Sequence, residues 1–226
     1  MSLDPSRFRA VLFDLDGTLA DTAPDLIAAV NRVLIDEGRA PLPDAALRPL
    51  VSKGGRALLA RAFADLGEAA REPLLPRFLA VYADALATHT RPFPGIEPLL
   101  AHIEARGWDW GIVTNKPEGL ARGVVEGLGW STRSKALVGG DTLPVRKPAP
   151  EPLWLAASQL GVDPSLCLYV GDDARDIEAA KAAGMPNVAA LWGYREAHEN
   201  PRDWGADADC ADADALRALL VDGSRR

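Results

Sequence analysis

The chain has 226 residues, of which 48% are hydrophobic and 25% charged, with a formal net charge of −7. That size and balance suit one good core with a smaller second unit, the acidity argues against a general nucleic-acid surface, and no apolar run reaches the roughly 18 residues of a membrane span. The two cysteines, Cys167 in an apolar run and Cys210 among aspartates, lack CxxC spacing and suggest neither a disulfide framework nor a thiolate metal site.

In chain order, Met1 to Pro5 lacks an apolar signal segment, so a cytoplasmic location is expected. The apolar run from Ala10 ends in Asp14 and reads as a buried parallel strand. A helix begins near Asp21-Thr22-Ala23-Pro24-Asp25 and keeps helical spacing through Leu26, Val30, Val33 and Leu34 up to Gly38. Helical segments alone follow to about Arg91: Pro43 to Val51, Gly55 to Leu66 and Glu72 to Thr88. Pro92-Phe93-Pro94-Gly95 punctuates the end of this insert.

Strands then alternate with helices. Helices are expected over Ile96 to Arg106, Glu118 to Leu128, Pro150 to Leu160, Arg175 to Ala183 and Ala213 to Val221. Strands are expected over Trp108 to Thr114, Ala136 to Gly140, Leu166 to Asp172 and Asn187 to Leu191, with an edge strand at Asp209 to Ala211. The fold class is therefore α/β: a Rossmann-like, mostly parallel sheet with helices on both faces, plus an all-helical cap domain inserted after the first strand. The expected domains are a core of 1–19 and 92–226 and a cap of 20–91.

In open α/β sheets, ligands bind beyond the carboxyl ends of the strands. Four such ends carry polar groups here: Asp14 and Asp16, then Thr114 and Asn115, then Lys147 in the loop after the third strand, then Asp172, Asp173 and Asp176. Acids at both ends of this list suit an oxygen-loving divalent cation. Thr114, Lys147 and backbone N–H groups suit a phosphate. Gly17 lets the chain turn away after the paired carboxylates.

Together, Asp14-Leu15-Asp16-Gly17-Thr18, Thr114-Asn115, Lys147 and Gly171-Asp172-Asp173 with Asp176 resemble the haloacid dehalogenase superfamily, specifically its phosphatases. The resemblance implies Asp14 as a nucleophile that forms an aspartyl-phosphate. It implies Asp16 as the acid that protonates the leaving group and then the base that activates water. It implies Mg²⁺ held by Asp14, the Asp16 carbonyl and Asp172, with Lys147 and Thr114 on the phosphoryl group. Gly17, Thr18 and Asn115 would border the substrate. Asp173 and Asp176 are expected behind these ligands: one orients a metal water or pairs with Lys147, the other caps the helix near Arg175, a role that suits Asp173.

The insert resembles that family's helical cap, and its Gly-rich turn Val51-Ser52-Lys53-Gly54-Gly55-Arg56 places Lys53 and Arg56 as candidates for a substrate carboxylate, with a solvated basic turn as the alternative. Val113-Thr114-Asn115-Lys116-Pro117, the Gly171 to Glu178 stretch and Asn200 to Asp207 resemble the N-acetylmuramic acid 6-phosphate phosphatases within the phosphoglycolate phosphatase-like group. The expected partner is a small phosphorylated substrate, with no nucleic acid, membrane or obligate protein partner. A halide leaving group needs no acid, so Asp16 disfavours dehalogenation. A sugar phosphomutase would keep every motif, and a non-catalytic binding homologue would be expected to have lost one. His89 and His102 read as structural or exposed, and Trp108 and Trp110 as packing residues.

Overall fold

The computed structural model describes residues 3–222, so the outer ends of the expected core, 1 and 226, lie outside the described residues. The chain runs β1 (Ala10–Phe13), β2 (Ala20–Asp21), α1 (Ala23–Asp36), α2 (Asp44–Leu47), α3 (Gly55–Ala62), α4 (Glu68–Arg71), α5 (Leu74–Ala83) and β3 (Arg91–Pro92). It continues through α6 (Ile96–Ala105), β4 (Asp109–Val113), α7 (Glu118–Gly127), β5 (Ala136–Val138) and α8 (Glu151–Leu160). It closes with β6 (Cys167–Gly171), α9 (Ala174–Ala183), β7 (Asn187–Ala190), β8 (Ala208–Cys210) and α10 (Ala213–Asp222).

Six strands form one parallel sheet in the order β5-β4-β1-β6-β7-β8. Strand β1 is central because its four residues, Ala-Val-Leu-Phe, can be buried on both faces, and all four are. Its side chains alternate between two apolar clusters. Val11 and Phe13 face a cluster that includes Leu99 and Ile103 of α6 and Leu216 and Leu220 of α10. Ala10 and Leu12 face the cluster built from Leu153 and Ala157 of α8 and Ala179 and Ala183 of α9. Helices thus cover both faces, and every β1 neighbour ends on the same sheet edge. Among the described residues, no helix is long and apolar enough to cross a membrane.

The segment between β1 and α6 differs from expectation at its borders. Instead of helices alone, it is flanked by a two-stranded antiparallel ribbon, with Ala20 opposite Pro92 and Asp21 opposite Arg91. Asp21 is drawn into this ribbon, where its carboxylate accepts from Arg48 and from the Tyr194 hydroxyl, so α1 starts only at Ala23. The helix expected from Pro43 shortens to α2 and passes into a 3₁₀ turn over Arg48–Lys53, where Pro49 cannot donate a helical hydrogen bond. The helix expected over 72–88 is α5, which stops at Ala83. Beyond it, buried Asp25 on α1 captures the N–H groups of His89 and Thr90, and Ala87 adopts φ +55°. A tertiary carboxylate there outweighs local helix preference.

Candidate active site

The loop after β1 is a tight turn. The Leu15 carbonyl accepts the N–H groups of Leu19 and Ala20, and the Gly17 N–H donates to the Ala20 carbonyl. Gly17 has φ +92°, and a Cβ there would lie 2.2 Å from Asp172 Oδ2. Gly17 therefore serves the approach of Asp172. Thr18 is fully buried, and its hydroxyl donates to Asp172 Oδ1 at 2.9 Å. Gly17 and Thr18, expected at the substrate, both meet the Asp172 carboxylate, and neither is among the residues that border the cavity described below.

Asp14, Asp172 and Asp176 are buried and offer carboxylate oxygens that all lie within 4.8 Å of one another. One buried ammonium sits among them. Lys147 Nζ donates to Asp176 Oδ1 at 2.6 Å, the Val113 carbonyl at 2.7 Å and the Tyr169 hydroxyl at 2.9 Å. It lies 2.9 Å from Asp14 Oδ1, which makes no aligned hydrogen bond. Burial works against the Lys147 charge, but Asp14 and Asp176 outweigh it and hold its pKa above the ordinary value. Burial pushes the Asp14 carboxyl up to about 6, with Lys147 opposing and Asp176 and Asp16 adding. Burial, then Asp14 and Asp176, hold Asp172 well above the carboxylate range.

Three acids around one ammonium leave excess negative charge in a poorly solvated place. A divalent cation resolves that excess, and Asp14 Oδ1, which has the Lys147 ammonium beside it but no aligned hydrogen bond, is a hard oxygen donor of the right kind. The residues fit Mg²⁺: Asp14, Asp172 and the Asp16 carbonyl would hold it. The Ser52 hydroxyl donates to both Asp172 Oδ2 (2.7 Å) and the Asp16 carbonyl (3.2 Å), which places those two atoms side by side.

The Asp16 side chain turns elsewhere. Lys116 Nζ donates to its Oδ1 at 2.8 Å and Oδ2 at 2.9 Å, and the Thr22 hydroxyl also donates to Oδ1. Burial works against the Lys116 charge, but Asp16 and Tyr82 raise its pKa overall, and the ammonium sits 4.7 Å from the centre of the Tyr82 ring. Sequence reasoning gave Lys116 no role, though its place directly after Thr114-Asn115 at a strand end was a usable signal. Thr114 is buried, and its Oγ1 accepts the Lys116 N–H at 3.2 Å. Asn115 Nδ2 donates to the Lys147 carbonyl at 2.9 Å and so ties two strand-end loops together.

Asp173 and Asp176 form a reciprocal cap on α9: the Asp173 side chain accepts the Arg175 N–H, and Asp176 Oδ2 accepts the Asp173 N–H. Burial would raise the Asp173 carboxyl, yet Arg175 and Lys53 hold it well below the usual range. Lys53 reaches from the insert to Asp173 (2.9 Å) and Glu199, and Arg175 donates to the Ser52 carbonyl at 2.7 Å. Arg56 pairs with Glu72 in an exposed bridge within the insert. Lys53 and Arg56 do border the site, but each already has a carboxylate partner.

A cavity of about 290 Å³ lies between the sheet edge and the insert, bordered by Asp14, Asp16, Thr114, Asn115, Lys116 and Lys147 on one side and by Phe78, Leu79 and Tyr82 of α5 on the other. A carboxylate without an aligned hydrogen bond beside a buried ammonium, with a second carboxylate nearby, can perform nucleophilic substitution at phosphorus.

Known proteins similar to this chain bear the names of hydrolases and phosphatases. The haloacid dehalogenase-like hydrolase family matches residues 8–184. A phosphoglycolate phosphatase of Xanthomonas campestris pv. campestris (strain 8004) is 56% identical over 199 residues, covering 88% of this chain and 90% of that protein. An N-acetylmuramic acid 6-phosphate phosphatase of Pseudomonas aeruginosa is 47% identical over 202 residues, covering 89% of each. The crystal structure of a predicted phosphoglycolate phosphatase from Haemophilus somnus superposes with a TM-score of 0.82 at 28% identity, covering 94% of this chain and 98% of that one. By its strand-end acids and lysine, its sheet and these relatives, this chain belongs to the haloacid dehalogenase-like hydrolases and is an enzyme of their phosphatase branch.

Proposed function

We propose that the chain is a Mg²⁺-dependent phosphomonoester hydrolase that works through an aspartyl-phosphate on a small, carboxylate-bearing phosphate ester. N-acetylmuramic acid 6-phosphate is the favoured substrate and 2-phosphoglycolate the next, after the relatives of those names. The observation that carries the chemistry is Asp14: buried, without an aligned hydrogen bond on Oδ1, and 2.9 Å from Lys147. Asp14 attacks phosphorus, and the bond to the ester oxygen breaks in line. Asp16 gives the departing alkoxide its proton. Water then attacks the same phosphorus, Asp16 takes back a proton, and phosphate leaves with Asp14 regenerated. Thr114 and Lys147 hold the phosphoryl oxygens throughout. The bound cation, when present, supplies charge neutralisation on those oxygens. The insert serves as the cap that shelters this chemistry from bulk water.

The test is Mg²⁺-dependent phosphate release from N-acetylmuramic acid 6-phosphate beside 2-phosphoglycolate, with Asp14→Asn as the blank. A large kcat/KM preference for the sugar supports a role in cell-wall recycling. A preference for phosphoglycolate supports the second substrate. No turnover of any phosphate ester, including p-nitrophenyl phosphate, sinks the reading.

A further inference from the structure

Six cationic side chains border the cavity: Lys53, Arg56, Lys116, Arg146, Lys147 and Arg175. Five of them already have a carboxylate. Lys53 and Arg175 share Asp173, Arg56 holds Glu72, Lys116 holds Asp16, and Lys147 holds Asp14 and Asp176. Arg146 alone forms no hydrogen bond or ion pair through its side chain among the described residues. The acid on the same wall, Asp141, accepts the Glu118 N–H at 2.7 Å instead. A cation at a cavity wall with no internal partner is available to an anion that arrives from outside.

Arg146 immediately precedes Lys147; its side chain is exposed, whereas that of Lys147 is buried, and both border the same cavity. The backbone there is fixed from both sides: the Ala149 N–H donates to the Arg146 carbonyl at 2.9 Å, and Asn115 donates to the Lys147 carbonyl at 2.9 Å. The reading above assigns Thr114 and Lys147 to the phosphoryl group, and Arg146 is the cation of this wall left, among the described residues, for a second negative group. A guanidinium presents paired N–H donors that match a carboxylate in two parallel hydrogen bonds.

We propose that Arg146 is a specificity-determining residue that recognises a carboxylate carried by the substrate outside its phosphoryl group. This rests on the phosphatase reading above and moves the carboxylate contact from the insert to the core loop.

The experiment is Mg²⁺-supported steady-state kinetics of wild type, Arg146→Ala and Arg146→Lys on two matched pairs of esters. The first pair is N-acetylmuramic acid 6-phosphate and N-acetylglucosamine 6-phosphate, which lacks the lactyl carboxylate. The second is 2-phosphoglycolate and ethyl phosphate. The expected result is a wild-type preference for the carboxylate-bearing member of at least one pair. Arg146→Ala should lower kcat/KM on that member by about 10- to 100-fold, mostly through KM, as expected for a lost charge-assisted contact. It should leave the carboxylate-free member within about twofold, and Arg146→Lys should recover part of the loss. An equal loss on both members overturns the proposal, because Arg146 would then act on the phosphoryl group. An unchanged Arg146→Ala, or a wild type indifferent to the carboxylate, also overturns it. Wild-type failure on p-nitrophenyl phosphate as well as every other ester marks the failure of the phosphatase reading itself, and the proposal falls with it.

Discussion

Replacing Asp14 by Asn should abolish turnover and yet stabilise the metal-free protein. Burial raises the Asp14 carboxyl from the ordinary 3.8 to about 6. At about 1.36 kcal/mol per pH unit, holding it ionised costs the fold roughly 3 kcal/mol at neutral pH. The folded pKa is the higher one, so the cost is absent below the unfolded value of 3.8, grows as pH rises, and is complete above about 6. At pH 5 roughly half of it applies. Asn has nearly the same shape without the charge, and Lys147 keeps Asp176 at 2.6 Å. The net gain should be about 1–3 kcal/mol, or about 3–10 °C in Tm for a chain of this size. The assay is calorimetric melting in EDTA at pH 7.5 and pH 5, repeated with Mg²⁺. The Asp14→Asn protein should melt higher in EDTA at pH 7.5, with a narrower gap at pH 5, and Mg²⁺ should raise wild type more than the variant. An Asp14→Asn protein that melts at or below wild type in EDTA at pH 7.5 refutes the electrostatic account.

Three further outcomes follow from the same geometry. Gly17→Ala puts a Cβ 2.2 Å from Asp172 Oδ2 at a φ of +92°; Mn²⁺ affinity, read by electron paramagnetic resonance, should fall by about tenfold or more, and wild-type affinity would contradict the role given to Gly17. Lys116→Met strips both oxygens of Asp16 of their ammonium; kcat on alkyl phosphates should drop by about 10- to 100-fold, and less on p-nitrophenyl phosphate, whose leaving group needs no proton. An equal drop on both classes would separate Lys116 from the proton transfer. Lys53→Ala releases Asp173 and Glu199, whose carboxylates are largely buried; stability should fall by about 1–3 kcal/mol, limited proteolysis of the insert should quicken, and an unchanged cleavage rate would deny Lys53 a fastening role.

The sheet was legible because its strands are short apolar runs ending in Gly or Asp, and burial on both faces requires such runs. Asp173 reads as a helix start from spacing alone, and the pairing of Lys147 with Asp176, 29 positions apart, was one of two roles the family resemblance implied; that Asp176 also completes the cap was not legible. Boundaries inside the insert were less legible. Asp25 ends the run after α5 by capturing N–H groups 64 and 65 positions along the chain, which no local window contains. Lys53 and Arg56 looked equivalent in sequence, as two cations in one Gly-rich turn. Only the fold shows one reaching the core acids and the other an acid of the insert. Arg146 drew no attention because an exposed arginine before a Pro-rich loop has no local signature, and its significance lies in what its neighbours already hold.

The turn carrying Ser52 and Lys53 fastens to the core at Asp172, the Asp16 carbonyl, Asp173 and Glu199, and Arg175 reaches back to it. Two of those four fastening points are atoms that would hold the cation. The turn of the insert and the candidate cation therefore call on the same two oxygens, so what binds one of them is felt by the other.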